Sequence, residues 1–354
     1  MSCQSSKGES PVTTDVLPLI VGIPGTELSP SEFAVLESVH PAGIILFARN
    51  ISSSRQVRSM VACFENLEPR PFVAVDLEGG IVNRLDSVWG QLPSPAAAAV
   101  AGRRAVRGLG EAAGAACRAL GIHLDFAPVI DLDRPGGLIP RQDRCLGGDP
   151  DRVVELARVF YEGLSAWGVE GCLKHFPGLG AVDIDTHIAL PTLRFGDHDP
   201  QLQVFAHLST DIPLVMVGHA IAPDLGDPIR PASLSRTVVG QAAQLPGSPI
   251  VLSDDLEMGA IADLADLPIL VVDAIRARHH GVLVCNAFDR LQEIADFIDD
   301  TSRSDPGFQT RVGVAAARLG TLRRDLCQKA AAVPRPDDET VAQLWCQARS
   351  AAGI

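Results

Sequence analysis

Leu173–Pro191 reads LKHFPGLGAVDIDTHIALP. An apolar run from Val169 leads into it and ends at Lys174 and His175, after which Pro177, Gly178 and Gly180 interrupt the chain. Proline removes a backbone donor and glycine admits positive φ, so a strand ends here and a loop begins. Further along the loop stand Asp185 and His187, two residues apart. Extended chain points residues i and i+2 the same way. The carboxylate can then hold one imidazole nitrogen and leave the other for a proton, as general acid–base chemistry requires. The pair taken alone also fits a surface loop whose acid and imidazole merely touch.

The same punctuation recurs along the chain. Short runs rich in Val, Ile and Leu occur at Val16–Ile23, Ala42–Phe47, Pro71–Asp76, Phe126–Asp131, Val169–His175, Ile212–His219, Ile250–Asp254 and Val282–Asn286. Helical patterns lie between them: Ser29–His40, Ser53–Leu67, an Ala-rich stretch from Ser94 to Leu120, and Asp149–Trp167. Strands apolar on both faces and alternating with helices indicate parallel βαβ units. Eight of them predict an α/β fold of the (β/α)8 TIM-barrel type, whose chemistry sits at the C-terminal strand ends. Polar residues gather at those ends: Asp76 and Glu78, Lys174 and His175, His219, Asp254 and Asp255. The expected organisation is a polar leader over 1–15, the barrel domain over 16–331, and a C-terminal helical extension over 332–354 that opens with the Pro-rich Ala332–Pro336.

Composition narrows the function classes. Of 354 residues 46% are hydrophobic and mean hydropathy is +0.18, ample for a large core. No run approaches the eighteen or so apolar residues of a membrane span. The N-terminus lacks the basic and apolar regions of a secretory signal. A cytoplasmic location with no membrane association is expected. The 43 acidic against 30 basic residues give a net charge of −13, which argues against nucleic acid as a partner. Eight scattered cysteines without a C-x-x-C pair predict free thiols rather than disulfides or a metal site. The glycines at 108, 110 and 114 lie in a helical pattern with no strand before them, so they are discounted as a dinucleotide fingerprint. No cofactor is expected. His279 and His280 sit late in a helical pattern, where cationic side chains suit the helix C-terminus. Asp131 and Asp133 read as rim groups. Asp254 at a strand end can serve as nucleophile, metal ligand or salt-bridge partner, and Asp255 reads as structural.

Six blocks in order resemble one family: Gly43–Asn50 (GIILFARN), Val75–Gly80 (VDLEGG), Lys174–Gly178 (KHFPG), Asp185–His187 (DTH), Arg230–Ser235 (RPASLS) and Ser253–Leu256 (SDDL). The chain is similar to family 3 glycoside hydrolases, above all to their single-domain bacterial β-N-acetylhexosaminidases. The resemblance implies that Asp254 is the nucleophile forming a covalent glycosyl-enzyme, that His187 is the acid/base, and that Asp185 is its dyad partner. It also implies that Asp76, Arg84, Arg144, Lys174 and His175 hold the sugar's hydroxyl groups, while Arg230 falls in a matching block. A histidine donor departs from the usual pair of carboxylates about 5–5.5 Å apart in retaining glycosidases, and the Gly/Pro-rich loop reads as a hinge that closes over the sugar. Larger members take the acid/base from a second domain, for which the stretch after Asn286 is too short.

The sequence departs from the family pattern at Leu179, Leu77 and Ile81, where His, Gln and Arg are usual. The expected activity is a metal-independent retaining β-N-acetylglucosaminidase acting on muropeptides of cell-wall recycling, with a small carbohydrate as its partner and a monomer as its state. Alternatives remain: a β-glucosidase-type enzyme, a glycoside phosphorylase, a sugar-binding homologue without catalysis, or a metal-dependent hydrolase using His175, His187, His219 and Asp254. Against the last, no H-x-H ends the first strand, where Gly22-Ile23-Pro24 stands.

Overall fold

In a computed structural model the structure describes residues 16–182, 190–196 and 199–354. Nine strands make one sheet: β1 Leu17–Gly22, β2 Pro41–Leu46, β3 Phe72–Val75, β4 Leu124–Asp125, β5 Glu170–Gly171, β6 Leu173–Phe176, β7 Leu214–Val217, β8 Ile250–Asp255 and β9 Gly281–Val284. Every pairing is parallel, in the order β5-β4-β3-β2-β1-β9-β8-β7-β6. Only Cys172 separates β5 from β6, so the two are halves of one stave and the sheet closes on itself as an eight-stave barrel. This is the predicted TIM-type fold.

Side chains rather than a pore fill the interior. Ile20, Ile45, Phe72, Ala74, Leu124, Phe126, Leu214, Met216, Leu252 and Leu283 form one buried cluster. Leu319, Leu322 and Leu326 of the helix Pro306–Ala331 join it beside Val16, Ala42 and Ile250, at the starts of strands. That helix stoppers the N-terminal end, and the opposite end carries the polar residues. The helices begin where side-chain caps satisfy free amides: in Pro30–Val39 the Ser29 hydroxyl accepts from Glu32 N–H while the Glu32 carboxylate accepts from Ser29 N–H. The last helix, Asp338–Ala351, lies across Arg103–Leu120 and buries Trp345, whose indole N–H donates to Gly90 O at 3.1 Å. Among the described residues no helix is long and apolar enough to cross a membrane.

Three expectations are corrected. The regular part of the fourth strand is Leu124–Asp125, not Phe126–Asp131. Beyond it the ladder continues irregularly, because Pro128 has no N–H to give, through Cys172 N–H to Ala127 O and a single bridge of Val129 with Lys174. The Ala-rich stretch is two helices, Pro95–Ala101 and Arg103–Leu120, parted at Gly102 with φ of 103°. His279 and His280 are not cations capping a helix. The helix Leu267–Arg276 ends before them, and the chain carries both into the interior just ahead of β9. Burial pushes both imidazoles down to about 3. His280 Nδ1 accepts from Val251 N–H at 2.9 Å, and His279 Nε2–H donates to Ser233 O at 2.8 Å.

Candidate active site

Three strand ends supply most of the chemistry. Asp76 follows β3 and opens a tight hairpin in which Leu77–Gly79 pairs antiparallel with Val82–Asn83. Lys174 and His175 lie in β6, and Asp254 and Asp255 close β8. Asp76, Glu78, Arg84, Arg144, Lys174, His175, Asp254 and Asp255 all line one cavity of about 330 Å³ over the C-terminal end of the barrel. The structure thus brings together six of the eight site residues expected from sequence. The other two, Asp185 and His187, lie outside the described residues.

Glu78 is the centre of the ionic floor. Its buried carboxylate receives Arg144 in a bidentate pair, Nε and Nη2 both at 2.8 Å, and Lys174 Nζ at 2.6 Å. Lys174 Nζ also donates to Asp76 Oδ1 at 2.7 Å. Burial alone raises a carboxyl pKa, but the two cations outweigh it and hold Glu78 well below the usual carboxylate range. Lys174 is shifted the other way: desolvation lowers it, but the charges of Asp76 and Glu78 exceed that and raise its pKa. Arg84 Nη2 lies 3.9 Å from Asp76 Oδ2, and its buried Nε has no hydrogen-bond partner among the described residues. Phe47 carries the guanidinium groups of Arg49 and Arg84, 4.6 and 5.8 Å from its ring centre.

Asp131 is no rim group. Its buried carboxylate accepts from His175 Nδ1 at 2.7 Å, from His175 N–H at 3.2 Å and from Leu179 N–H at 2.8 Å. One side chain thereby fixes both the imidazole of β6 and the start of the following loop. Asp133 is exposed. The root of that loop is tightly packed rather than hinged. A Cβ on Gly180 would fall 1.8 Å from Leu132 O, and Gly178 lies against the side chain of Gln201. These glycines are required by close approach. Gln201 in turn accepts from Leu132 N–H and donates to Ile130 O.

Opposite this floor, Asp254 Oδ1 accepts from Asp255 N–H at 2.9 Å. Desolvation pushes the Asp254 pKa up, but the imidazoles of His219 and His175, that amide and Lys174 together bring it below the ordinary value. It is therefore an anion at neutral pH. Burial, and then the charge of Glu257, raise Asp255 to about 7. His219 is a brace for this wall: Nε2–H donates to Asp255 O at 2.8 Å and Nδ1 pairs with Ser233 Oγ at 2.7 Å.

Of the departures from the family pattern, Leu77 is fully buried, Leu179 lines the cavity against Gly218, and Ile81 stands 64% exposed at the mouth. Arg230 is not brought to this site; it is exposed and borders a separate cleft with Arg236 and Arg311. Among the described residues no three His, Cys, Asp or Glu side chains are grouped as metal ligands. Sequence reasoning gave no role to Glu78 and too little to Asp131. Both were signalled, Glu78 by its i+2 spacing from Asp76 and Asp131 by closing an apolar run, but only their distant partners reveal what they hold. The assembled surface sets the half-buried Asp254 carboxylate facing a floor of cations, acids and imidazole, a pattern suited to a polyhydroxylated ring and to attack on it.

The sequence profile of the glycosyl hydrolase family 3 N-terminal domain matches residues 20–315. A beta-hexosaminidase of Pseudomonas aeruginosa is 34% identical over 281 residues, covering 76% of this chain and 82% of the relative. One of Idiomarina loihiensis is 33% identical over 307 residues, 83% of this chain and 91% of its own. Among solved structures, a family 3 β-N-acetylglucosaminidase from a Paenibacillus species superposes with a TM-score of 0.84 at 26% identity, over 95% of this chain and 67% of that one. NagZ from Neisseria gonorrhoeae in complex with N-trifluoroacetyl-D-glucosamine gives 0.76 at 26% identity, over 96% and 98%.

Proposed function

Since this chain belongs to glycosyl hydrolase family 3 and is a glycosidase, we propose that it is a retaining β-N-acetylglucosaminidase releasing terminal non-reducing N-acetylglucosamine. The observation that carries this reading is the ionised, half-buried Asp254 set across one cavity from Asp76, Arg144, Lys174 and His175. In the first step an Asp254 oxygen attacks the anomeric carbon, the bond from that carbon to the leaving oxygen breaks, and His187 gives its proton to that oxygen. In the second step His187, now neutral, takes a proton from water, the water oxygen attacks the same carbon, and the bond to Asp254 breaks. Asp185 orients the imidazole and favours its protonated form.

The floor residues hold the ring hydroxyls so that the carbon under attack faces Asp254, a positioning effect worth many powers of ten in such reactions. The natural substrate in this reading is a peptidoglycan fragment in which N-acetylglucosamine is linked to an anhydro-muramic residue, processed in the cytoplasm during cell-wall recycling. The NagZ similarity supports the substrate, and the free thiols at all seven described cysteines support the compartment.

The test is hydrolysis of 4-nitrophenyl N-acetyl-β-glucosaminide by wild type, Asp254→Ala and His187→Ala, with the glucoside and a phosphate-containing reaction in parallel. Turnover by wild type, near-complete loss in Asp254→Ala and a marked loss in His187→Ala are expected. Preference for the glucoside, or a sugar phosphate as product, gives the answer to the other glycosidase and phosphorylase readings. A folded wild type that turns over no aryl sugar defeats the proposal.

A further inference from the structure

The cavity has two chemistries at two depths. Its floor is ionic, but its mouth is apolar: Ile81 and Val82 on the hairpin, Leu138 on the short helix Leu138–Arg141, and Met258 after β8 all line it. Ile81 is 64% exposed, and a lone exposed isoleucine is ordinary on any surface. This one is held in place from several sides. Gly79 and Gly80 have φ of 97° and 58°, and Gly80 N–H donates to Leu92 O and Pro93 O, so the hairpin tip is clamped beneath Ile81. The hairpin is tied to the segment after Leu138 by the bidentate Glu78–Arg144 pair. Leu138 is tied to the root of the loop after β6 by its own N–H to Val182 O. Two apolar elements, carried by neighbouring staves, are thus fixed at the mouth, and Leu138 adjoins the root of the loop that follows β6.

We propose that Ile81, with Val82 and Leu138, forms the wall of a leaving-group subsite and makes the protein select leaving groups that present an apolar face. An aryl ring, flat and without rim hydroxyls, satisfies it better than a second N-acetylglucosamine, whose C–H faces are bordered by equatorial hydroxyls and an acetamido group. The inference rests on the glycosidase reading above, since it takes the sugar to sit on the ionic floor with its leaving group directed outward. An apolar contact made by the leaving group is carried into the first transition state, and kcat/KM reports that step whichever later step limits turnover.

The experiment compares kcat/KM on 4-nitrophenyl N-acetyl-β-glucosaminide with that on N,N′-diacetylchitobiose, for wild type, Ile81→Ser and Leu138→Ser. Comparing the ratio of the two substrates between variant and wild type cancels the intrinsic reactivity of the nitrophenolate. Ile81→Ser, changing a largely exposed side chain, is expected to fold as wild type does and to lower the ratio about fivefold to tenfold, the loss of one or two buried methyl groups. Leu138→Ser is expected to lower it in the same direction. A ratio unchanged within twofold in Ile81→Ser, or both substrates falling alike, overturns the subsite while the glycosidase reading stands. Hydrolysis of neither substrate by wild type overturns both.

Discussion

Replacing Glu78 with glutamine keeps the shape of the side chain and removes its charge from beneath the cavity. In the wild type three donor contacts between 2.6 and 2.8 Å converge on this carboxylate, from Lys174 Nζ and from Arg144 Nε and Nη2. An amide has one oxygen, so at least one cation loses its acceptor and meets an N–H instead. Asp76 remains as the neighbouring counter-charge of Lys174. Removing one partner of a buried pair destabilises by about 3–5 kcal/mol, and the retained oxygen reduces this to roughly 2–4 kcal/mol. The displaced cations line the floor of the cavity in which the proposed reading seats the sugar, and a misplacement on the order of 1 Å costs about a hundredfold in rate, so kcat/KM is expected to fall by about that factor.

Urea unfolding and aryl glycoside kinetics at pH 7 measure both quantities. The Glu78 pKa is depressed in the folded chain, so its stabilisation is fully present above the unfolded value of about 4.3 and is lost as pH falls below it. The stability gap between wild type and Glu78→Gln must therefore narrow between pH 5 and pH 3. A variant with an unchanged unfolding midpoint and kcat/KM within twofold refutes the brace, as does a gap that widens in acid.

Asp131→Asn tests the link between β6 and its loop: with one acceptor oxygen for three donors, kcat/KM is expected to drop about tenfold to a hundredfold. A drop confined to thermal stability, with kinetics intact, counts against that link. Trp345→Ala asks whether the last helix belongs to the folded unit. Emptying this buried site should destabilise by about 3–5 kcal/mol in urea while leaving kcat at 25 °C within twofold, since Asn83 still donates to Gly90 O and no residue of this helix lines the cavity.

What the sequence revealed follows from what each element buries. Staves covered on both faces read as unbroken apolar runs, so Pro41–Leu46 and Phe72–Val75 were visible, and the polar residues ending them marked the open end of the barrel. β4 was misplaced because the neighbours of Phe126–Asp131 continue the ladder only intermittently around Pro128, a pattern that composition does not register. The Gly102 break was hidden in a run where alanine sustains the helical period on both sides. Buried histidines were misread for a different reason: the fate of His279 depends on Ser233 O, contributed from 46 residues away. Glu78 and Asp131 were seen as strand-end acids, yet their work is defined by Arg144, Lys174 and Leu179, which only the closed barrel brings to them. Asp185 and His187 rest on the sequence, outside the described residues.

The buried titrating groups together predict where the protein is most stable. His123, His279 and His280 are each pushed down to about 3, chiefly by burial, so on unfolding below about pH 6.5 each binds a proton that the folded state refuses. That contribution is present at neutral pH and is lost as pH falls. Asp125 and Asp255 act in the opposite sense. Burial raises Asp125 well above the ordinary value and Asp255 to about 7, so each is protonated when folded and releases its proton on unfolding above about pH 4. Their effect erodes stability as pH rises. In acid the histidines and Glu78 take up protons on unfolding, and toward neutral pH the two raised acids release them. The two tendencies oppose each other, so the unfolding midpoint must peak between the acid range in which protons are taken up and the range in which the raised acids release them. Asp255→Asn deletes one releasing group and keeps the acceptor for Glu257 N–H, so its optimum should move to higher pH. Midpoints measured from pH 4 to pH 8 decide the matter: a wild-type maximum below pH 5, or an Asp255→Asn optimum displaced toward acid, contradicts the assignment of these groups.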